Sequence, residues 1–203
     1  MQIRTFSNGL LGSNTYLVWD EDSREAMVID CGNAPRETAK TCEKQGLKLK
    51  YIALTHGHYD HADYVELYKA SFPKAQLVCH ADEVRVLTDP EANVSMLLGL
   101  IRSYPAPDLT VDEEVTLTLG GLTFKVIHTP GHTPGSICLY CESEKTLFTG
   151  DTLFVGGYGR TDFKYGSLAD LTASLRRLTA LPEDTEFYSG HGEAGRLCRE
   201  RKY

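Results

Sequence analysis

The alternation of apolar and polar runs along the chain predicts a protein of many short strands with a few helices between them. Most apolar runs are too short for helices, and turn-forming residues separate them. The runs around the polar turn at 20–23 predict one hairpin, and those around Gly120-Gly121 predict another. The predicted strands are residues 15–19, 26–29, 51–54, 76–79, 115–119, 122–127, 136–140, 146–148 and 187–188.

Capping residues and helical spacing predict the helices. Pro35 suits a first helical turn, and Gly46 suits the end of the same helix. From Leu168, leucines recur at a spacing of three or four residues, which predicts an apolar face directed at the core. The predicted helices are 35–45, 63–71, 81–87, 94–101 and 168–179, with an irregular connection at 104–107. Because no linker interrupts this pattern, we expect a single domain over residues 1–203.

One predicted strand runs directly into a cluster of side chains that can bind metal. Residues 51–54 are apolar, and His56, His58, Asp60 and His61 follow within a few positions. Imidazoles and a carboxylate at a strand end can converge on one point beyond the sheet. The other interpretation is a polar loop with chance histidines, which the strand context disfavours.

Three more candidates follow later strands. His132 comes after Thr129-Pro130-Gly131, Asp151 follows Gly150, and His191 lies between Gly190 and Gly192. The flanking glycines allow sharp turns that bring these side chains close together. A weak internal similarity between 46–58 and 121–132, each a strand that ends near Gly-His, suggests two similar half-sheets that deliver ligands at their strand ends.

His80 and His128 also stand near strand ends, but we assign both structural roles because a lone histidine there is usually a hydrogen-bonded polar group. The pattern C-x-x-C at 138–141 lies in a predicted strand, where positions three apart point to opposite faces. Buried reduced thiols are therefore expected. The six cysteines are Cys31, Cys42, Cys79, Cys138, Cys141 and Cys198.

Composition and charge narrow the class of protein. The chain has 203 residues, of which 41% are hydrophobic and 24% charged, which is ordinary for a globular protein. A net charge of −7 gives no support for a nucleic-acid partner. No apolar run has membrane-spanning length, and the first residues lack a signal-peptide segment, so a cytoplasmic location is expected. A basic tail could reach a substrate, but a solvated helix face is the favoured interpretation. Its members are Arg196, Arg199, Arg201 and Lys202.

The ligand set combines imidazoles and carboxylates without thiolates, which suits Zn²⁺, Fe²⁺ or Mn²⁺. At about 4 Å and an effective dielectric of about 20, Asp60 and Asp151 would repel by about 4 kcal/mol, and a divalent ion reverses that sign. A general base contributes roughly 3–5 kcal/mol, whereas lowering the pKa of water from about 15.7 to about 7 is worth about 12 kcal/mol. Seven ligands exceed the needs of one ion, so we expect two ions, roughly 3.5–4 Å apart, bridged by Asp151.

The order of these ligands resembles the metallo-β-lactamase-fold superfamily over nearly the whole chain. The motif is Thr55-His56-Gly57-His58-Tyr59-Asp60-His61, followed by His132, Asp151 and His191. The resemblance implies an α/β (α+β) fold, a four-layer αββα sandwich with the metal site at the edge between two sheets. It also implies one site formed by His56, His58 and His132, a second formed by Asp60, His61 and His191, and a bridging Asp151.

The segments 149–154 and 159–163 resemble the glyoxalase II-like branch of that superfamily. This similarity implies a zinc-type thioester hydrolase acting on compounds such as S-D-lactoylglutathione. Metal-bound hydroxide would attack the thioester carbonyl, with Asp60 and Asp151 as catalytic residues. Full-length members carry a C-terminal helical domain that binds glutathione. We expect no such domain here, and instead a compact enzyme with a small-molecule substrate and neither a nucleic-acid nor a membrane partner.

Substrate contacts are expected from Arg160, Tyr158 and Phe163. Arg160 could contact a glutathione carboxylate or backbone, or it could brace the metal loop through Asp162. Tyr158 and Phe163 could line the mouth of the site or pack the loop. The alternative function is a persulfide dioxygenase with a single iron, and a non-catalytic metal-binding module is less favoured because the ligand set is intact. A β-lactamase is disfavoured by the 159–162 segment.

Overall fold

Two six-stranded sheets form the centre of the computed structural model, which describes residues 1–9, 11–113, 115–200 and 203. The strands are β1 (Gln2–Phe6), β2 (Thr15–Trp19), β3 (Glu25–Ile29), β4 (Lys48–Ala53), β5 (Gln76–His80), β6 (Leu109–Val111), β7 (Thr116–Leu119), β8 (Leu122–His128), β9 (Ile137–Cys141), β10 (Thr146–Gly150), β11 (Leu153–Phe154), β12 (Gly157–Tyr158), β13 (Glu186–Ser189) and β14 (Gly195–Arg196). The helices are α1 (Arg36–Gln45), α2 (Tyr59–Ala62), α3 (Val65–Ser71), α4 (Val84–Thr88) and α5 (Leu168–Leu178).

The first sheet has the strand order β1-β2-β3-β4-β5-β6, antiparallel from β1 to β3 and parallel from β3 to β6. The second sheet has the order β14-β13-β10-β9-β8-β7. Because β9 is antiparallel to both β8 and β10, and β13 is parallel to β10, strands β8, β10 and β13 all run in the same direction. Their carboxyl ends therefore lie at one edge of the sheet.

Three hydrophobic clusters establish a four-layer arrangement. Between the sheets, Met27 and Ile29 of β3 belong to the same cluster as Phe124 and Phe148 of the second sheet. A second cluster packs α1, α2 and α3 on the outer face of the first sheet, and a third packs α5 on the outer face of the second. Each fully buried aliphatic or aromatic side chain in these layers contributes about 1.5–3 kcal/mol. The expected αββα sandwich is confirmed.

Most sequence-predicted elements are present, including both hairpins and the helix that ends at Gly46, whose φ of 65° is left-handed. Cys138 lies in the outer cluster and Cys141 in the cluster between the sheets, so the prediction of opposite faces is confirmed. Five cysteines are buried and free, and Cys198 is free and exposed. Within the described part of the chain, every helix is too short or too polar to span a membrane.

Several boundaries were predicted wrongly. The helix expected at 63–71 begins at Val65 as α3, and the short helix α2, which was not predicted, precedes it, so Asp60 and His61 lie in a helical turn rather than in a loop. The helix expected at 94–101 is a single 3₁₀ turn, Ser95–Leu98. Leu168 is 56% exposed at the start of α5 and does not face the core. Arg196 ends β14 and Arg199 lies in a 3₁₀ turn, whereas Arg201 and Lys202 of the basic tail lie outside the described residues.

Candidate metal centre

The candidate ligands meet where strands from both sheets end. His56 and His58 follow β4, and the turn α2 then carries Asp60 and His61. In the second sheet the ligands follow the three strands that share one direction: His132 after β8, Asp151 directly after β10, and His191 after β13. Parallel carboxyl ends thus deliver ligands from distant parts of the chain to one edge.

All seven sequence-predicted ligands are brought together. The nitrogens of His56, His58 and His132, which we name the first ligand group, lie within 4.8 Å of one another. The same limit holds for Asp60, His61 and His191, which we name the second ligand group. It also holds for a set that combines His56 and His61 with Asp151.

Unpaired polar atoms show that these residues fit a divalent ion. The Nε2 atoms of His56, His58 and His132 and Oδ1 of Asp151 are buried and have no hydrogen-bond partner among the described residues. A buried polar atom without a partner costs about 1–3 kcal/mol. The three imidazole nitrogens lie close together and Asp151 lies close to one of them, and such imidazole and carboxylate atoms form the donor set that a transition metal accepts.

Asp151 lies between the two ligand groups. Its Oδ1 is 3.4 Å from His61 Nε2, and its Oδ2 is 3.6 Å from both His132 Nε2 and His191 Nε2. The second ligand group is closely packed, with His191 Nε2 3.1 Å from Asp60 Oδ2 and 3.2 Å from His61 Nε2. The geometry makes Asp151 the one carboxylate, among the described residues of the centre, that reaches both groups.

The two ligand groups differ in their electrostatics. Burial, reinforced by neighbouring imidazoles, lowers the pKa of His56 and His58, and burial also lowers the pKa of His132. These rings are therefore neutral and can bind metal at neutral pH.

In the second ligand group the carboxylates outweigh burial. Burial by itself lowers the pKa of His61, but the charges of Asp151, Asp60 and Asp30 raise it to about 10. The pKa of His191 is also raised, because the hydrogen bond to Asp60 and the charge of Asp151 overcome desolvation. Burial raises the pKa of the Asp60 carboxyl, but the opposite effect of His61 and His191 is larger. The pKa is therefore lowered overall, and the carboxyl is ionised. Without metal, protons hold this group together, and metal binding must release them.

Asp30 supports the second ligand group from outside, a function that the sequence analysis missed. Its Oδ2 is 2.8 Å from His61 Nδ1, and it accepts hydrogen bonds from the backbone N–H (2.7 Å) and the hydroxyl (2.8 Å) of Thr55. Such a carboxylate fixes the tautomer and the orientation of a ligating imidazole. Asp30 is buried and has a φ of 60° directly after β3. A carboxylate at the end of a buried strand was the available signal.

Glu83 joins the segments that carry the first ligand group, and it too was not predicted from the sequence. Its carboxylate accepts hydrogen bonds from Gly57 N–H (2.7 Å), Gly135 N–H (2.8 Å) and the Thr133 hydroxyl (2.9 Å). Gly57 separates His56 from His58, and Thr133 follows His132. Burial raises the pKa of Glu83 to about 7. In the sequence it resembles any acidic residue at the start of a helix.

Two glycines permit the close approach. Gly150 has a φ of 49°, and a Cβ there would lie 2.5 Å from Thr55 Oγ1. A Cβ at Gly190 would lie 2.1 Å from Asp151 Oδ1. Side chains at either position would push the segments that carry Asp151 and His191 away from the centre.

A cavity of about 450 Å³ opens onto the ligands, and Arg160 and Phe163 line it. The Arg160 guanidinium donates two hydrogen bonds of 2.6 Å to Asp162 and lies 4.1 Å from the centroid of the Phe163 ring. The Arg160 carbonyl accepts a 2.7 Å hydrogen bond from His132 Nδ1. Arg160 thus supports the metal loop through its backbone. Tyr158 is not among the described residues that line the cavity, and its ring contacts that of Tyr203.

His80 and His128 lie apart from the seven ligands. Their rings stack at 3.9 Å, His80 Nδ1 accepts the Asp82 N–H, and His128 Nε2 donates to the Pro134 carbonyl. Although both rings and Asp82 offer potential ligand atoms, stacked parallel rings do not direct their lone pairs at one point. This arrangement is the hydrogen-bonded, structural one that was expected.

Comparisons with known proteins agree with this architecture. The family model described as the metallo-beta-lactamase superfamily matches residues 8–191. The hydroxyacylglutathione hydrolase GloC of Haemophilus influenzae is 34% identical over 193 residues, which cover 93% of this chain and 90% of that protein.

Two solved structures superpose closely. The crystal structure of the B3 metallo-beta-lactamase BLEG-1 is 33% identical, with a TM-score of 0.89, over 98% of this chain and 95% of that one. The structure of TTHA1623 in a di-iron-bound form is 31% identical, with a TM-score of 0.83, over 96% and 95% of the two chains.

Proposed function

This chain belongs to the metallo-β-lactamase superfamily, and from that premise we propose that it is a metal-dependent hydrolase of thioesters, with glutathione thioesters such as S-D-lactoylglutathione as the first candidates. The observation that carries the proposal is the set of seven converging ligands with four unpaired buried atoms. Similarity to a hydroxyacylglutathione hydrolase over 93% of the chain supports the choice of substrate.

We propose two divalent ions, with zinc as the first candidate and iron or manganese as alternatives. The first ligand group would hold one ion, the second would hold the other, and Asp151 would contact both. When bound, such ions lower the pKa of water and polarise a carbonyl group. The chain itself keeps three imidazoles neutral and buried, holds Asp60 ionised, and orients His61 and His132 through Asp30 and the Arg160 carbonyl.

The titratable groups of the cavity favour a thioester over an amide. Of the described residues that line the cavity, Tyr59 and Arg160 are the titratable side chains outside the ligand set. Burial and Asp63 raise the pKa of Tyr59, and the bond to Asp162 raises the pKa of Arg160. Neither side chain is a proton donor matched to neutral pH. A thiolate leaves without protonation, whereas an amine does not.

A second candidate is a persulfide dioxygenase with one iron. The observation that favours it is the donor set of the second ligand group, two imidazoles and one carboxylate, which is the combination found in non-haem iron oxygenases. Similarity to a protein that binds two irons supports iron as a metal of this fold. The seven-ligand set, larger than one iron requires, favours the hydrolase.

Metal analysis and activity assays on the purified chain test the proposal. We expect about one to two ions per chain and hydrolysis of S-D-lactoylglutathione that chelation abolishes and Zn²⁺, Mn²⁺ or Fe²⁺ restores. Oxygen uptake with glutathione persulfide, in the absence of hydrolysis, would favour the dioxygenase. Hydrolysis of a β-lactam alone would instead favour the activity named for BLEG-1. A chain that binds no metal and hydrolyses no thioester would contradict the proposal.

A further inference from the structure

Beyond the ligands, apolar side chains from two separate turns surround the cavity. Leu11 comes from the segment between β1 and β2, and Val94, Leu97 and Leu98 come from the segment after α4. Leu11, Leu97 and Leu98 are 52%, 71% and 45% exposed. Single exposed leucines are ordinary, but several around one cavity form a surface that a ligand can cover. We name these four residues the apolar wall.

The turn that carries most of the apolar wall is strained and firmly held. Val94 has a φ of 62°, a left-handed conformation that costs a β-branched residue about 1–3 kcal/mol. The buried Asn93 holds it there: its side chain accepts the Ser95 N–H (3.0 Å) and donates to the Arg102 carbonyl (2.9 Å). The Asn93 carbonyl accepts the Tyr59 N–H at 2.8 Å, which connects the turn to α2. The part of the apolar wall at 94–98 is therefore fixed relative to Asp60 and His61.

Lys164 fixes the same turn to the loop that carries Arg160 and Phe163. Its Nζ donates hydrogen bonds to Asp89 Oδ2 (2.8 Å) and Glu91 Oε2 (2.6 Å). Both carboxylates lie just before Val94 in the sequence. Two apolar sides of the cavity, the wall and Phe163, are thus connected, and the cavity is preformed.

The cavity is poorly suited to recognise a negatively charged group of a substrate. Apart from the histidines, Arg160 is the cationic side chain among the described residues that line it, and Asp162 neutralises it with two hydrogen bonds. A substrate held by its carboxylates finds no free cation there. An uncharged apolar group, by contrast, would cover leucines that are now in water and would gain about 25 cal/mol for each Å² buried.

We propose that the apolar wall binds the acyl group of the thioester and that the enzyme prefers aliphatic acyl groups to lactoyl. The inference rests on the proposed function and specifies its substrate class. Water and the thioester give a carboxylic acid and a thiol, so no further reactant is required.

A series of S-acyl glutathiones tests the proposal: acetyl, lactoyl, butyryl and hexanoyl thioesters with the metal-loaded chain. We expect kcat/KM to rise about two- to fourfold for each added methylene. The double variant Leu97→Ser/Leu98→Ser should lower the hexanoyl-to-acetyl ratio of kcat/KM by at least about tenfold. Leu168→Ser, a substitution on α5 of a leucine whose exposure lies between those of Leu97 and Leu98, should leave that ratio unchanged.

The outcomes separate this inference from the proposed function. If the wild-type chain hydrolyses thioesters without any dependence on acyl length, or if the double variant keeps the ratio, the apolar wall does not bind the acyl group. If the loss of kcat/KM in the double variant depends on whether the carrier is glutathione or coenzyme A, and not on the length of the acyl group, the apolar wall binds the thiol side and the proposal is wrong. If no thioester is hydrolysed, the proposed function fails, and this inference fails with it.

Discussion

The two ligand groups share an edge of the fold but hold their side chains by opposite means. The first consists of three imidazoles that are at most 3% exposed, have lowered pKa values, and have no hydrogen-bond partner at Nε2 among the described residues. The second contains a carboxylate and two imidazoles of raised pKa that bond to one another, and the side chain of His191 is 29% exposed. The first group is ready for an ion, whereas the second must exchange protons for one. We therefore expect the second group to bind metal more weakly and with a steeper dependence on pH.

The largest effect should come from Asp151, because it contacts both ligand groups. Asp151→Ala is expected to lower the content of both ions and to reduce kcat/KM by at least about 10³-fold. Metal content after desalting and thioester hydrolysis measure the two effects. Asp184→Ala, at an exposed carboxylate paired with Lys145, is the control. A variant that keeps both ions would rule out a bridging carboxylate at this position.

Asp60→Ala should affect the second ligand group and leave the first intact, because Asp60 belongs only to the second. We expect loss of one ion per chain, retention of the other, and a fall in turnover of about 10²-fold. His58→Ala is the matched variant for the first group and should remove the other ion. If Asp60→Ala left metal stoichiometry and turnover unchanged, the assignment of two sites would be wrong.

The sequence indicated the seven candidate ligands because each belongs to a segment that follows a predicted strand, and the structure brings their side chains together. It did not identify α2, since four residues are too few to show helical periodicity. The strand β1 was missed for a related reason: it is an edge strand with mostly exposed residues, so its apolar pattern is faint.

Asp30 and Glu83 escaped prediction because their function depends on partners distant in sequence. Asp30 bonds to His61, 31 positions away, and Glu83 bonds to Gly135, 52 positions away. Nothing local distinguishes them from other acidic residues at element boundaries. The apolar wall was missed because 94–101 was predicted as a helix, and its leucines therefore received no surface role.

Asp30→Asn should sharpen the comparison, because Asp30 contacts a ligand of the second group only. Loss of its charge should weaken the hold on His61 and lower the metal affinity of the second group by about 10- to 100-fold. The first group should keep its affinity. Titration with Zn²⁺ against a competing chelator measures both affinities. Asp184→Asn removes the charge of an exposed carboxylate that is paired with Lys145, and serves as the control. An equal loss of metal affinity at both ligand groups would show that Asp30 does not support the second group alone.

Glu83 joins the segments of the first ligand group. We expect its substitution to have the smallest effect on catalysis but a distinct effect on stability. Burial raises the pKa of its carboxyl from 4.5 to about 7. Between these two values the folded chain keeps a proton that the unfolded chain has lost, so the free energy of unfolding falls as pH rises through this window. The loss should total about 3 kcal/mol and should be complete above about pH 7. Glu83→Gln cannot titrate, so its unfolding free energy relative to the wild type should rise by that amount from pH 4.5 to pH 8.

Urea unfolding of the metal-free proteins at a series of pH values measures this difference. Glu66→Gln, at an exposed position on α3, is the control and should follow the wild-type profile. The histidines of the metal centre also make the free energy of unfolding depend on pH, but they do so in wild type and variant alike, so their contribution cancels in the difference between the two curves. A Glu83→Gln profile parallel to the wild type would show that the carboxylate is already ionised in the folded chain at pH 5. In that case its three hydrogen bonds, rather than burial, would govern its charge, and both ligand groups would rest on ionised carboxylates.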